Sequence, residues 1–294
     1  MSITDVKAMK ILLMGSYGML GHKLIQRLKI DHDLYGTCKE IRRGAPWYSI
    51  LDDGRLIAGV QAEKIETVAR ALIKSKPDVV INCVGIVKQS QAAADPIASI
   101  TVNSLFPHLL ARECSSHDAR LIHFSTDCVF SGKKGMYSVN DSADPEDLYG
   151  RTKLLGEVGG KASLTIRSSL IGRELGTRNG LLEWFLAQRG KSVKGYKNAI
   201  FSGFTTLEMS NVISMILKEH ENLTGIWHIA SNPISKYDLL SLINREMDLG
   251  IQIEPEDSVV CDRSLDGSAF SSLTGYRPPS WNDMIKEMVK DSYP

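Results

Sequence analysis

Apolar residues in this chain gather into short continuous runs, and between the runs they recur at helical spacing. In "MKILLMGSYGMLGHKLIQRL" the run Ile11–Met14 predicts a buried strand, and Leu20, Leu24 and Leu28 then fall on one face of a helix. "DLYGTC" (33–38) predicts a second strand. Residues 44–60 are less regular, with "LIAGV" as the next short strand. "ETVARALIKSKPDVVINCVG" gives a helix, a stop at Pro77 and the strand Val79–Cys83. "ITVNSLFPHLLARECSSH" reads as a helix bent near Pro107, and "ARLIHFST" as a strand that leads into a polar loop over 131–147. "YGRTKLLGEVGG" then reads as a helix and "LTIRSSLIG" as one strand.

Strand and helix alternate about six times over the first 170 residues, which predicts a parallel sheet with helices on both faces. The strands are continuously apolar rather than alternating, as a sheet buried on both sides requires. The fold class is therefore α/β, a Rossmann-type doubly wound parallel sheet over 1–171. After residue 172 loops lengthen and Gly/Pro punctuation appears in "GYKNAIFSGF" and "GYRPPSW". A smaller mixed α/β part is expected over 172–204 and 231–294, with 205–230 returning to the sheet through "GIWHIA".

Composition narrows the class of protein without choosing one. In 294 residues the hydrophobic fraction is 43%, the charged fraction 23% and the formal net charge +1. No basic footprint points to nucleic acid or to an anionic membrane. "ILLM" is too short for a signal peptide or a membrane span. The five cysteines are scattered, with no CxxC pair and no zinc-ligand spacing, so the expectation is a reduced, cytoplasmic protein with no metal.

"GSYGMLG" places Gly15, Gly18 and Gly21 between the first strand and its helix. Gly15 permits the tight turn, Gly18 lets the backbone approach a pyrophosphate, and Gly21 lets the helix pack on the strand. With Tyr17, Met19 and Leu20 they form a turn whose helix N-terminus offers N–H groups to an anion. The spacing is GxxGxxG rather than the usual GxGxxG, and its place after the first strand gives it weight. An NAD site often carries an acidic residue near the second strand's end. Here "GTCKEIRR" supplies Lys39, Arg42 and Arg43, which suit a 2′-phosphate, although Glu40 argues the other way. NADP(H) is favoured, with NAD(H) as the alternative.

Tyr149 and Lys153 stand four apart, on one face of the predicted helix, and Thr126 sits just past a strand's carboxyl end. Hydride addition to a ketone leaves an alkoxide that needs a proton. A phenol with a pKa of about 10 can deliver it if a nearby ammonium lowers that value. Alone, Tyr-x-x-x-Lys is usually a surface pair; with Thr126 and the glycine turn it reads as catalytic.

"GSYGMLG", "PDVVINCVG", "VNSLFPHLLA", "STDCVFSG" and "YGRTKLLGE", in that order, resemble the extended short-chain dehydrogenase/reductases. The nearest resemblance is to the dTDP-4-dehydrorhamnose reductase-like branch, to which "SNPISKYDLL" and "CDRSLDGSAF" are also similar. The resemblance implies Thr126, Tyr149 and Lys153 as the catalytic set, with Lys153 also reaching the nicotinamide ribose. It implies cofactor contacts from Cys83, Val84, Gly85, Asn103, Tyr149 and Lys153, with Asn103 also organising the site. Asn82 reads equally as a cofactor neighbour and as a loop-capping amide. Lys88 reads as a phosphate or substrate contact or as a solvated lysine.

Two departures matter. Cys128 stands in "STDCVF" where the branch usually has tyrosine; with no base motif beside it, it reads as a packed thiol rather than a nucleophile. Asp127 is not followed by the glutamate of the related dehydratases, which argues against water elimination. The resemblance implies a nucleotide-diphosphate sugar between the two parts, with Lys88, Asp127, Cys128, Arg173 and above all Arg263 on the substrate side. It implies an NADPH-dependent 4-ketoreductase of a 6-deoxyhexose in cell-surface polysaccharide synthesis. A nucleotide-sugar epimerase and a non-catalytic NADP-binding regulatory subunit are the alternatives, and a homodimer is compatible with any of them.

Overall fold

The computed structural model describes residues 8–43, 45, 50–51 and 54–291. Part of the irregular 44–60 segment therefore lies outside the described residues. Seven parallel strands form the main sheet in the order β11-β6-β5-β4-β1-β2-β3. They are β1 (Lys10–Met14), β2 (Asp33–Thr37), β3 (Leu56–Ile57), β4 (Val79–Asn82), β5 (Arg120–Phe124), β6 (Ser163–Arg167) and β11 (Gly225–His228). The order reverses between β1 and β4, and sheets of this kind bind ligands at the carboxyl ends beside that switch point.

The continuous apolar runs are explained by burial on both faces. Ile11 and Leu13 of β1 enter one core with Leu24 and Leu28 of α1 (Gly21–Leu28) and with Met209, Val212 and Ile213 of α7 (Thr206–Glu219). Leu12 and Met14 point the other way, into a second core with Val68 and Leu72 of α2 (Ile65–Ser75) and Phe106 and Leu110 of α4 (Phe106–Ser116). The pleat sends neighbours to opposite faces, so a strand covered by helices on both sides must be apolar throughout.

The helix expected to bend near Pro107 changes its winding just before that residue. A short α3 (Pro96–Ser99) passes through a π-helical turn, Ile100–Leu105, into α4, with Pro107 in its first turn. The single strand expected from "LTIRSSLIG" is two. β6 ends at Arg167, and β7 (Leu170–Ile171) pairs instead with β10 (Phe204–Thr205) in a separate two-stranded sheet. The remaining strands form small satellites: β8 (Ser192–Tyr196) pairs with β13 (Gln252–Glu256), and β9 (Ala199–Phe201) pairs with β12 (Ile234–Ser235) and β14 (Cys261–Asp262). α5 (Leu148–Leu155), α6 (Leu181–Leu186), α8 (Lys236–Glu246), α9 (Ser268–Thr274) and α10 (Trp281–Lys290) complete the chain. Among the described residues no helix is long and apolar enough to cross a membrane.

Candidate active site

The carboxyl ends of β1, β4 and β5 carry three polar loops that meet at one place. At the first, Gly15 takes φ +87°, a conformation other residues rarely adopt, and its carbonyl accepts from Gly18 N at 3.0 Å. A Cβ on Gly21 would stand 2.1 Å from the Gly15 oxygen, so this close approach of helix to turn requires glycine. Among the described residues no acceptor takes the backbone N–H groups of Met19 and Leu20, at the N-terminus of α1. A glycine cradle with unpartnered N–H groups at a helix N-terminus fits a dinucleotide pyrophosphate. The end of β2 is tied to this turn, since Ser16 N donates to Thr37 O at 3.0 Å. Beyond it Arg42 and Arg43 are exposed, while Lys39 pairs with Glu63 at 2.9 Å.

At the second loop Cys83 and Val84 pack against Gly15. Asn82 is a capping amide: Val84 N donates to its Oδ1 at 3.0 Å, and its Nδ2 meets His123 Nδ1 at 3.0 Å. Asn103 organises the same loop through its side chain. Its amide takes Ile86 N at 2.8 Å and gives to Ile86 O at 2.9 Å, next to Gly85. The π-helical turn is what presents Asn103 to this loop, and such turns recur at functional sites.

At the third loop Thr126 caps a short 3-10 turn, Asp127–Val129. Its hydroxyl accepts from Cys128 N at 3.1 Å and donates to Asp127 Oδ1 at 3.0 Å. Tyr149 sits in the first turn of α5, which Asp147 caps by accepting from Gly150 N at 2.8 Å. The other Asp147 oxygen holds Lys88 Nζ at 2.7 Å, and these residues line a cavity of about 130 Å³ with Ile86 and Tyr149. Asp147→Ala is expected to destabilise the protein by about 1 kcal/mol in denaturant melts, the usual worth of such a cap. Asp147 was not singled out in the sequence, although an aspartate just before a predicted helix is a readable N-cap signal.

Lys153 is buried, and its ammonium donates to Phe124 O at 2.5 Å. Burial pulls its pKa down to about 8, against the opposing pull of Glu157 and then Cys83. The sequence led us to expect that Lys153 lowers the pKa of Tyr149. The structure corrects this: burial raises the phenol well above its ordinary value, and the opposing pull comes from Thr126 rather than from Lys153. The phenol is therefore protonated at neutral pH.

The substrate-side candidates divide. Asp127 and Cys128 lie at the Thr126 turn, and burial pushes the Cys128 thiol up to about 12, so it is a packed thiol. Arg263 reaches the same turn: Nε donates to Phe130 O at 2.9 Å, and Nη1 lies 3.8 Å from Cys128 Sγ. Arg173 is engaged by Glu183 on α6, Nε to Oε1 at 2.6 Å. Lys236 packs over the Phe201 ring at 4.0 Å; burial lowers its pKa and Asp127 opposes that shift. Among the described residues no group of three or more acidic, His or Cys side chains is arranged to hold a metal ion.

The strand order, the glycine cradle at its switch point and the Thr126–Tyr149–Lys153 set define a short-chain dehydrogenase/reductase of the extended, Rossmann-type class. A sequence model of the RmlD substrate binding domain matches residues 9–293, and the chain belongs to that family. A dTDP-4-dehydrorhamnose reductase of Mycolicibacterium smegmatis is 32% identical over 52% of this chain, a stretch that spans 42% of that protein. The spore coat polysaccharide biosynthesis protein SpsK of Bacillus subtilis is 23% identical over 96% of this chain and 97% of its own. The crystal structure of dTDP-4-dehydrorhamnose reductase from Bacillus anthracis in complex with NADP superposes with a TM-score of 0.80, at 18% identity, over 97% of this chain and all of that one.

Proposed function

We propose that this protein is an NADPH-dependent reductase of a nucleotide-diphosphate 4-keto-6-deoxyhexose. The observation that carries the reading is the gathering of Thr126 just past the end of β5, Tyr149 on the cavity wall and the buried Lys153, whose ammonium donates to the last carbonyl of that strand. Relatives named as dTDP-4-dehydrorhamnose reductases support the substrate class, and the exposed Arg42 and Arg43 support NADPH over NADH.

When bound, NADPH supplies hydride to the sugar ketone. The glycine turn, through Gly15, Gly18 and Gly21 with Tyr17, Met19 and Leu20, would hold its pyrophosphate, beside Cys83, Val84 and Gly85. Thr126 orients the carbonyl oxygen, and Tyr149 gives that oxygen the proton it needs as the C–O bond becomes single. Burial keeps the phenol protonated until then. Lys153, held by the Phe124 carbonyl, would reach the nicotinamide ribose, as the resemblance implies. Arg263, with Lys88, Asp127 and Cys128 around the same cleft, faces the phosphates and sugar; a guanidinium matches phosphate geometry in two-pronged fashion. Arg173, already bonded to Glu183, would have to exchange partners to contribute.

NADPH oxidation against a panel of nucleotide-linked 4-keto-6-deoxyhexoses tests the reading. Turnover is expected with at least one sugar. No turnover on any, with a stoichiometric protein partner recovered in its place, would move the chain to the regulatory alternative.

A further inference from the structure

At the end of α1 opposite the glycine turn, a second cavity of about 220 Å³ opens beside the start of β2. Its polar walls are Lys29, His32, Asp33 and Arg55, and its apolar walls are the buried Leu34, Ile50 and Leu51. It shares no lining residue with the cleft beside Tyr149. His32 is 7% exposed. Met9 N donates to its Nδ1 at 3.4 Å, so that nitrogen offers its lone pair and the ring proton sits on Nε2. Burial holds the ring's pKa below its ordinary value, which keeps it neutral at neutral pH. Nε2 is itself buried and has no hydrogen-bond partner. A buried donor without an acceptor is costly, and an oxygen placed in the cavity would relieve that cost.

The charges on the cavity walls do not cancel. Arg55 is paired with Asp33 and lies over the Tyr35 ring at 4.5 Å. Asp31, next to His32, is held by Arg27 at 3.1 Å and by Lys218 at 2.8 Å. Lys29 has no carboxylate partner among the described residues. Its ammonium gives one bond, to Ile50 O at 3.3 Å, and two of its three protons stay free. One uncancelled positive charge beside one orphaned N–H suits a monoanion with two oxygens. A phosphate monoester would bring close to two charges to that single cation. The volume lies below the roughly 300–1,000 Å³ of pockets that take drug-sized ligands, so the occupant is small.

We propose that this cavity binds a small organic carboxylate, whose oxygens take the Lys29 ammonium and the His32 Nε2–H while its apolar body rests on Leu34, Ile50 and Leu51. Protein labelled with 15N-histidine tests this by NMR, with the His32 signals assigned from His32→Gln. Sodium butyrate and sodium benzoate are titrated at constant ionic strength, beside butyramide, benzamide and inorganic phosphate. The free protein should show the Nε2–H tautomer at His32. At least one carboxylate should shift the His32 Nε2 signal saturably at millimolar concentration, and its amide should not. Lys29 is exposed, so replacing its side chain leaves the core intact. Lys29→Gln is expected to weaken binding at least about tenfold, the usual worth of a charged hydrogen bond, and Lys29→Arg by less than about threefold. NADPH affinity should be the same in Lys29→Gln as in the unaltered protein, because the glycine turn lies at the other end of α1. No saturable shift with either carboxylate would overturn the proposal. So would equal binding of the amides, tighter binding of phosphate, or undiminished carboxylate binding in Lys29→Gln.

Discussion

Tyr149→Phe is expected to lower kcat by roughly 10²–10⁴-fold, the usual worth of a positioned general acid, while NADPH affinity stays within about twofold of the starting value. The substitution removes one oxygen from a ring that burial already favours. Thr126 keeps Cys128 N and Asp127 Oδ1, so its hydroxyl is not orphaned and the turn holds. Among the described residues no hydrogen bond joins the glycine cradle to the phenol, which is why binding and chemistry should separate. Steady-state kinetics with fluorescence titration of NADPH checks both halves. Full activity in the phenylalanine variant would remove Tyr149 from the mechanism. An equal loss of NADPH binding would recast it as a structural residue.

The parts of this site that were legible in the sequence are those fixed by local pattern. The apolar runs gave β1, β4 and β5, and the glycine turn between Met14 and α1 could be placed because a run ends and a helical spacing begins there. Thr126, Tyr149 and Lys153 were legible through their motifs. What was missed depends on distant partners. The "LTIRSSLIG" run is apolar throughout, and only the pairing of β7 with β10, more than thirty residues on, splits it. Arg173 and Arg263 look equally able to hold a phosphate. Glu183 claims the first, while the carbonyl of Phe130 draws the second to the Thr126 turn. Charge alone suggested that Lys153 lowers the Tyr149 pKa; burial decides the direction, and burial is a property of the assembled layers.

Gly21→Ala is expected to abolish measurable NADPH binding and to cost about 1–3 kcal/mol of stability, as overpacking of a tight contact does. The added carbon would lie 2.1 Å from the Gly15 oxygen and 3.0 Å from its carbonyl carbon. Both are backbone atoms, so no side chain can swing aside. Gly15 cannot yield either, since its φ of +87° is fixed by the turn and its far side abuts Cys83 and Val84. Relief must come from α1 moving away from the turn, which shifts the Met19 and Leu20 N–H groups off the position an anion would occupy. Gly18→Ala separates packing from binding. Its added carbon meets only the Gly15 oxygen, at 3.3 Å, so stability should stay close to that of the unaltered protein while affinity falls, if Gly18 is where the backbone meets the pyrophosphate. Denaturant melts and NADPH titrations of the two variants give the comparison. Equal binding by Gly21→Ala and the unaltered protein would mean that the cofactor does not rest on this turn.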